Sequence, residues 1–300
     1  MRGHESGSEY ESAVFDVGFS PAAHGQIGMS PAHRVRLLGE HDRLALRAFC
    51  ALDSGNSLFI ASQAERCRMN GEGVQFWGMF EGAALRAALV LVGRRCSIFA
   101  SPRLRVDPLV AVVLDHHIEF ILGRADLVHQ VIRAQEPFGA EIRCEEHRLA
   151  AQLTPVRVPT STVRYATKDD LESLANLYQR SDGYELQSLS QRRTSMAQWL
   201  REWRVCVIDR GGVLVAAAGT TAEADGSAMI GSVWTAPAHR NQGYATAVVA
   251  FLAASLSSEG RTPYLFYRID NEVAERVYLK LGFWPTGNWT VARLAVPPSR

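Results

Sequence analysis

The sequence predicts a mixed α/β fold of the α+β class, built from two consecutive halves that share one order of elements. From residue 162 onward, strand-like and helix-like patterns follow the order β-α-α-β-β-β-α-β-α-β. Residues 33–134 repeat that order as far as its last helix. A chain of 300 residues is long for one domain and comfortable for two. We therefore predict a duplicated fold.

The second half contains each predicted element with its own boundary residues. Val163 and Arg164 begin a short strand, and Thr167 with Asp170 forms a capping box that opens a helix to about residue 179. A polar stretch around Tyr184 leads to a second helix at 191–202. Glycine turns at 210–212 and 225–226 separate the next three strands. The remaining predicted elements are strands 204–208, 213–220, 229–235, 264–269 and 284–294 and helices 246–256 and 272–281.

The first half contains the same pattern but lacks a glycine-rich turn after its third strand. Its predicted elements are strands 33–37, 74–80, 85–92 and 96–100, a short strand ending at 122, and helices 40–52, 108–117 and 125–134, with a helical stretch to about 69. The loop 101–108 has no glycine, and Pro102 and Pro108 remove backbone N–H donors. We therefore expect only the second half to bind an anionic cofactor.

Composition places the boundaries between these parts. Residues 1–33 are rich in Gly, Ser, Pro and His, and we predict a mobile N-terminal arm. The first domain is assigned to 34–153 and the second to 162–300. The linker, 154–161, concentrates Pro and Thr between the two patterned regions. A substrate cleft between the domains is expected, because small-molecule sites favour such places.

Charge and cysteine usage exclude several classes of function. The net charge of +1 gives no basic surface for nucleic acid. The five cysteines are scattered and contain no C-x-x-C pair, so we predict reduced thiols in a cytoplasmic protein. Neither an export signal nor a membrane span is indicated, because no apolar run is long enough. His116 and His117 are adjacent on a predicted helix and point apart, so no metal site is predicted.

An R-x-x-G-x-A loop, Arg240 to Ala245, follows one apolar strand and runs directly into a helix. Successive N–H groups at such a turn converge on an anion, and the helix dipole favours the same charge. Gly243 removes a Cβ where phosphates would approach, and Ala245 keeps the next position small. Taken alone, the loop is equally well explained as an ordinary turn.

A second helix begins at the N-cap Asn271 and stops at Gly282. Val273, Val277 and Leu281 are predicted as its core face. Tyr278 lies seven residues after Asn271, about 10 Å along the axis and on nearly the same side. An isolated tyrosine there is usually a core aromatic, so its interpretation depends on the loop.

Together, "VWTAPAHRNQGYAT" and "NEVAERVYLKLGF" resemble the two motifs of the GNAT family of CoA-dependent N-acyltransferases, over 233–283. The residues of these motifs are similar to those of the glycine N-acyltransferase-like branch. The first half resembles the degenerate N-terminal half of two-domain bacterial GNAT proteins. The resemblance implies two GNAT-like domains, each a mostly antiparallel twisted sheet flanked by helices.

The resemblance also implies a role for particular residues. Tyr278 would donate a proton to the departing thiolate, and Asn271 would contact the cofactor. The backbone of the strand end would pair with the pantetheine arm, and the loop would cradle the pyrophosphate. The residues concerned are Val233, Trp234 and Thr235 in the strand and Arg240, Asn241, Gln242, Gly243, Tyr244, Ala245 and Thr246 in the loop.

These roles imply attack of a small-molecule amine on acetyl-CoA, or another acyl-CoA, held between strands 228–235 and 264–269, without a metal. A backbone N–H near Trp234 or Thr235 would stabilise the oxyanion. Met229 and Phe266 occupy the positions where many relatives carry a carboxylate base. The remaining candidates for the base or acceptor site are Asp182, Glu185, Glu223, Asp225 and Asp270.

Other interpretations remain open. The apolar Met229 and Phe266 also suit a regulatory module that senses acyl-CoA without turnover. Mycothiol synthase is another GNAT duplication, and acetylation of protein amines is a further alternative. The sequence leaves the acceptor, the acyl chain length and the oligomeric state undetermined.

Overall fold

The computed structural model describes residues 33–139, 141–160, 162–181, 184 and 187–295. The residues from His33 onward belong to one compact unit. Apart from His33, the predicted N-terminal arm lies outside the described residues. So do Asp182 and Glu185, two of the candidates for the catalytic base.

Both halves contain the predicted elements in the predicted order. The first half consists of β1 (Arg34–Leu37), α1 (Arg43–Cys50), α2 (Leu58–Arg66), β2 (Val74–Glu81), β3 (Ala84–Val92), β4 (Arg95–Ala100), α3 (Asp107–Asp115), β5 (Phe120–Arg124), α4 (Ala125–Gln135) and β6 (Glu141–Gln152). The second consists of β7 (Val163–Tyr165), α5 (Leu171–Leu177), α6 (Leu189–Glu202), β8 (Val205–Arg210), β9 (Val213–Ala224), β10 (Ser227–Thr235), α7 (Tyr244–Ser258), β11 (Thr262–Arg268), α8 (Glu272–Lys280) and β12 (Phe283–Ala295). The predicted fold class and the repeat are confirmed.

The sequence analysis missed β6, the last strand of the first half. Its first residues, Glu141 to Glu145, are mostly exposed and charged, so they show no apolar face. The buried residues are His147 and the last four, Leu149 to Gln152. The strand forms because β12 pairs along its whole length on one side and β11 pairs with its second half on the other.

The described strands form one twelve-stranded sheet in which the halves exchange their last strands. The order is β1-β2-β3-β4-β5-β12-β6-β11-β10-β9-β8-β7. The first half's β6 lies between β12 and β11, and the second half's β12 lies between β5 and β6. Each half therefore completes the sheet of the other. Only β4–β5 and β10–β11 pair in parallel, so the expectation of mostly antiparallel sheets is confirmed.

Residues 153–160, which comprise Leu153 and the described part of the predicted linker 154–161, form neither helix nor strand. They nevertheless lie against the end of α8, where the N–H groups of Leu153 and Thr154 donate to the carbonyl of Gly282, at 3.0 and 3.4 Å. The connection between the halves is thus held by backbone hydrogen bonds, which limits its freedom.

One hydrophobic cluster joins the two halves. Leu58 of α2 and Leu149 of β6 pack with Ala222, Met229 and Trp289 of the second half, and all five are buried. Burial of apolar side chains stabilises such a contact by roughly 1.5–3 kcal/mol per large residue. Met229 is therefore part of the core between the halves.

Each half opens with the same charged cap. Arg164 donates two hydrogen bonds to Asp170, whose carboxylate also accepts from the N–H of Thr167, which confirms the predicted capping box. In the first half Arg36 and Asp42 make the same pair, and Asp42 accepts from the N–H of Gly39. The hydrogen bonds from Arg36 lower the pKa of Asp42 to about 2.

The boundaries of α8 are confirmed, but its predicted core face is partly wrong. Asn271 caps the helix by accepting from the N–H of Ala274 at 3.0 Å, and Gly282 follows its end with φ of +79°. Leu281 is buried and Val277 packs against the core, but Val273 is 62% exposed. Glu272 and Val273 lie on the exposed side of the first turn, whereas Ala274 beside them packs against the core.

Candidate active site

The strands β10 and β11 pair at their beginnings and then separate. Pairing covers four positions, from Ser227 with Thr262 to Ile230 with Leu265. Beyond them β10 continues to Thr235 on the side of β9, while β11 pairs with β6 as far as Arg268. A gap therefore opens between the carboxyl ends of two parallel strands, as predicted for 228–235 and 264–269.

Two bulges lie beside this gap, and they compensate each other. On β9, Thr221 is an extra residue between the partners of Met229 and Ile230. On β10 the extra residue falls between Gly231 and Trp234, where Ser232 has φ of +51°. The phenol of Tyr178 donates a hydrogen bond to the carbonyl of Ser232. Bulges of this kind redirect side chains, and here both occur where β10 leaves β11.

The predicted anion loop connects β10 to α7 with two residues in the left-handed region. Asn241 has φ of +62° and Gly243, the N-cap of α7, has φ of +79°. Among the described residues, none accepts a hydrogen bond from the backbone N–H groups of 241–246. Six consecutive donors at the start of a fifteen-residue helix are therefore available to a ligand, and the helix dipole favours an anion there.

Two arginines border the loop. Arg240 lies over the ring of Trp234, at 4.9 Å from its centroid, and Arg210 donates to the phenol oxygen of Tyr244 at 3.0 Å. Both are exposed. Within the described chain, the buried Trp234 Nε1 and Thr235 Oγ1 have no hydrogen-bond partner. Unpartnered buried polar atoms are costly, which favours a ligand along this strand end.

The Tyr278 side chain is packed at the other wall of the gap. Its ring lies 5.5 Å from that of Tyr267 and 6.2 Å from that of Phe283, and only 9% of the residue is exposed. Its hydroxyl makes no hydrogen bond to a described residue. Burial raises the pKa of Tyr278 to about 12, so the phenol stays protonated at neutral pH.

The first half lacks two of these features, the loop with free N–H groups and the phenol on the following helix. Val106 stands at the N-cap position of α3, and its N–H donates to Gln130 Oε1 at 2.9 Å. Pro108 lies in the first turn of that helix, as expected from the sequence. Seven residues after the N-cap of α4, Arg124, the chain has Val131 and no phenol.

The described carboxylate candidates do not meet at the gap. Glu223 and Asp225 lie near the start of β10, roughly 25 Å along the strand from its end. Glu223 pairs with Arg204 and Arg261, at 3.2 and 3.3 Å, and Asp225 is exposed. Met229 and Phe266, at the positions where many relatives carry a carboxylate base, belong to the apolar packing. Met229 is buried, and Phe266 packs against the core between the halves.

Asp270 is the one described carboxylate candidate near the separating strand ends, because it follows β11. Arg268 pairs with it at 2.6 Å, and this hydrogen bond holds the pKa of Asp270 below its ordinary value. A carboxylate that is held ionised by a cation is a weak proton acceptor.

A cleft of about 1280 Å³ opens on the side of the sheet where Thr221 and Ser232 lie. The helix α6 supplies one wall through Gln198 and Trp199, and the strands β4, β5, β12 and β6 supply the other. Thr221 Oγ1 is buried and has no partner in the described chain. Sequence reasoning missed Thr221, Ser232 and Tyr178, because register, and no local motif, determines which residue of a strand is extra.

Nothing in the described part of the chain suggests a metal centre or a membrane helix. No group of three or more His, Cys, Asp or Glu side chains is placed to hold an ion there. No helix among those residues is long and apolar enough to cross a membrane. All five cysteines are free.

Comparison with known proteins supports the fold. The family model described as FR47-like protein matches residues 208–290. A search of curated proteins found no significant match.

Many solved structures are similar to the chain at low identity. A putative GNAT acetyltransferase from Novosphingobium aromaticivorans is 16% identical with a TM-score of 0.54, over 81% of this chain and 98% of its own. A GCN5-related N-acetyltransferase from Sphaerobacter thermophilus is 18% identical with a TM-score of 0.56, over 89% and 97%. A tandem GNAT protein from the clavulanic acid biosynthesis pathway is 14% identical with a TM-score of 0.51, over 90% and 100%. The fold is thus the tandem fold of GNAT acetyltransferases.

Proposed function

We propose that the second half binds an acyl-CoA, with acetyl-CoA as the first candidate, and transfers the acyl group to an amine of a small molecule. The observation that carries this proposal is the coincidence of the separated strands β10 and β11 with six free N–H groups at the start of α7. The gap suits an extended pantetheine arm, and the N–H groups suit a pyrophosphate.

The residues at these two places would hold the cofactor. Val233, Trp234 and Thr235 offer backbone groups on the side of β10 that β11 has left. Arg240 and the backbone of 241–246 would bind the pyrophosphate, with Arg210 as a further cation. The Asn271 side chain accepts one hydrogen bond as N-cap, and its amide N–H groups remain for the ligand.

Transfer would proceed by direct attack of the neutral amine on the thioester carbonyl. The nitrogen forms a bond to the carbonyl carbon, a backbone N–H at the end of β10 stabilises the oxyanion, and the C–S bond breaks. The sulfur then takes the phenol proton of Tyr278, the amine proton is lost to solvent, and the Tyr278 phenolate regains a proton from solvent.

The raised pKa of Tyr278 constrains this last step. A phenol with a pKa of about 12 is a weaker acid than a free thiol of about 8.5, by roughly 5 kcal/mol. A thiol in the same buried gap also has a raised pKa, which narrows the difference between the pKa values of the phenol and the thiol. Tyr278 would therefore donate only as the thiolate forms inside the gap.

The amine proton would leave through water, since Asp270, the described base candidate near the separating strand ends, is paired with Arg268. The buried Thr221 hydroxyl, which has no partner in the described chain, could hold the first water beside Ser232. The neutral amine would thus need no dedicated base.

The two halves would then have different tasks. Residues 34–153 would form a GNAT-like domain without a cofactor site, and 162–300 the catalytic domain.

The free cysteines favour a reducing compartment such as the cytoplasm. The assignment to the glycine N-acyltransferase-like branch depends on sequence resemblance alone. A non-catalytic acyl-CoA sensor is the second candidate, favoured by the buried Met229 at the usual base position.

Release of free CoA from acetyl-CoA across a panel of amines tests the proposal, with Tyr278→Phe as the diagnostic variant. We expect kcat to fall about 100-fold or more while the Kd for CoA is unchanged. Tyr165→Phe is the matched control, because that hydroxyl contacts only Ser255 at 2.8 Å. An unchanged rate in Tyr278→Phe would remove its assigned role. Tight CoA binding without transfer to any amine would favour the sensor.

A further inference from the structure

The cleft wall formed by β4, β5, β12 and β6 carries a row of three arginines and one phenylalanine. Arg95 of β4 lies opposite Phe120 of β5, Phe120 lies opposite Arg293 of β12, and Arg293 lies opposite Arg143 of β6. Residues directly opposite each other project from the same face of a sheet. All four line the cleft, and the exchange of β12 places Arg293 beside Phe120 of the first half.

Most charges around this row are paired. Arg143 pairs with Glu141 at 3.6 Å, and Arg94 pairs with Glu119. Glu202, on the wall formed by α6, pairs with two arginines outside the row, Arg66 and Arg201, at 3.4 and 3.6 Å.

Arg95 and Arg293 are different, because neither forms an ion pair with any carboxylate of the described chain. The guanidinium carbon of Arg95 lies 6.0 Å from the centroid of Phe120. The Cα atoms of Arg95 and Arg293 are separated by two strand spacings, roughly 10 Å. Two long side chains at that separation can converge on one anion above the phenylalanine ring.

The same cleft reaches the place where transfer would occur. Ser232 and Thr221 line it beside the gap between β10 and β11. Tyr184 also lines this cleft, and its ring lies 5.6 Å from that of Tyr178, whose phenol donates to the carbonyl of Ser232. Arg95 is close enough to oppose, by its charge, the rise in the pKa of Tyr184 that burial causes.

We propose that the acyl acceptor carries an anionic group in addition to its amine, and that Arg95 and Arg293 bind this group while the amine reaches the gap beside Ser232. The inference rests on the proposed acyl transfer. Guanidinium groups suit planar carboxylates and phosphates, because their N–H donors form a fork. The specificity for the acceptor is thus shared by Arg95 of the half without a cofactor loop and Arg293 of the other half.

The test compares acceptors that differ only in charge. The probes are ω-amino carboxylates with one to five methylene groups, their carboxamides, and ω-aminoalkyl phosphates, assayed for kcat/KM with acetyl-CoA. We expect at least one anionic series to exceed the neutral amides by about 10-fold or more, with KM rising as salt is added. The preferred series distinguishes a carboxylate from a phosphate. Equal kcat/KM for charged and neutral acceptors would overturn the inference.

The variants Arg95→Gln and Arg293→Gln locate the anion site. Each is expected to raise KM for anionic acceptors by about 10-fold or more, with little change in KM for the amides or in the Kd of CoA. Arg133→Gln is the matched control, since Arg133 is exposed on α4, outside the residues that line the cleft. An unchanged KM for anionic acceptors in both cleft variants would contradict the assignment.

Calorimetry separates failure of this inference from failure of the proposed reaction. The same amino carboxylates and aminoalkyl phosphates are titrated into protein saturated with CoA. The protein could bind these probes without turnover, with the binding abolished by Arg95→Gln and Arg293→Gln. This result would support the anion site and reject the transfer reaction. Turnover of neutral amines with no binding of any anionic probe would reject the anion site and keep the reaction. Absence of both binding and turnover would reject both.

Discussion

Two glycines with the same backbone conformation provide a matched test of the loop and the linker. Gly243 and Gly282 both have φ of +79°. A Cβ added at Gly243 meets no atom within 4 Å, whereas a Cβ at Gly282 would overlap the carbonyl oxygen of Thr154. Substitution by alanine therefore adds the same backbone strain at both sites and a steric clash at only one.

The magnitudes follow from this difference. An L-residue in the left-handed region costs roughly 1–2 kcal/mol, which is the whole expected loss for Gly243→Ala. In Gly282→Ala the linker must also move, which weakens the hydrogen bonds from Leu153 and Thr154 to the carbonyl of residue 282. Forcing a methyl into a packed site costs roughly 1–3 kcal/mol more, so the total is about 2–5 kcal/mol.

Urea unfolding, followed by circular dichroism and tryptophan fluorescence, measures the two free energies of unfolding. Calorimetric titration with CoA should rank the two variants in the opposite order, with the larger loss of affinity in Gly243→Ala. The methyl of Gly243→Ala would face the pyrophosphate, and we expect the Kd to rise about 10-fold or more. Gly282→Ala should bind CoA normally while folded. If Gly243→Ala loses as much stability as Gly282→Ala, the clash with Thr154 is not real. If it binds CoA normally, the loop is not the pyrophosphate site.

Three further predictions concern charge and buried hydroxyls. Because the pKa of Asp42 is lowered from 3.8 to about 2, its contribution of about 2 kcal/mol is present above about pH 4 and lost as the pH falls through 2. Asp42→Asn should remove this acid-dependent loss of stability in urea titrations at low pH. Asp170→Asn should be similarly destabilising at neutral pH. Unchanged stability in either variant would contradict the role of the cap. Thr221→Val should increase stability by about 1 kcal/mol in thermal unfolding but slow acyl transfer, whereas unchanged transfer would show that the hydroxyl takes no part. Tyr278, with a folded pKa raised to about 12, should lower stability as the pH rises from about 10 through 12, and Tyr278→Phe should remove that dependence together with one late phenol titration near 295 nm.

Local features of the site were predictable because they depend on residues close in sequence. The capping box of Thr167 and Asp170, the cap by Asn271 and the stop at Gly282 each follow from one side chain and its neighbouring backbone. The same holds for the anion loop, since a glycine before an apolar helix leaves N–H groups free. The alternation of apolar runs was also sufficient to give the order of elements in both halves.

Val273 and β6 show where local patterns fail. The i, i+4, i+8 spacing placed Val273 in the core, but this residue lies on the exposed side of the first turn of α8, and Ala274 faces the core instead. The charged beginning of β6 lacks the pattern of a half-buried strand, yet β12 gives it a partner for every residue from Glu141 to Gln152. The pairing of β6 depends on residues more than 100 positions away.

The sequence by itself thus determined the repeated order of elements, the loop with free N–H groups after β10 and the presence of that loop in only one half. The tertiary structure alone decided that β6 and β12 are exchanged, and that Arg95, Arg293, Thr221 and Ser232 line one cleft. Caps and turns are fixed by hydrogen bonds within a few residues, so the chain displays them locally. Strand partners and bulges are fixed by register between distant segments, which emerges only when the whole sheet is assembled.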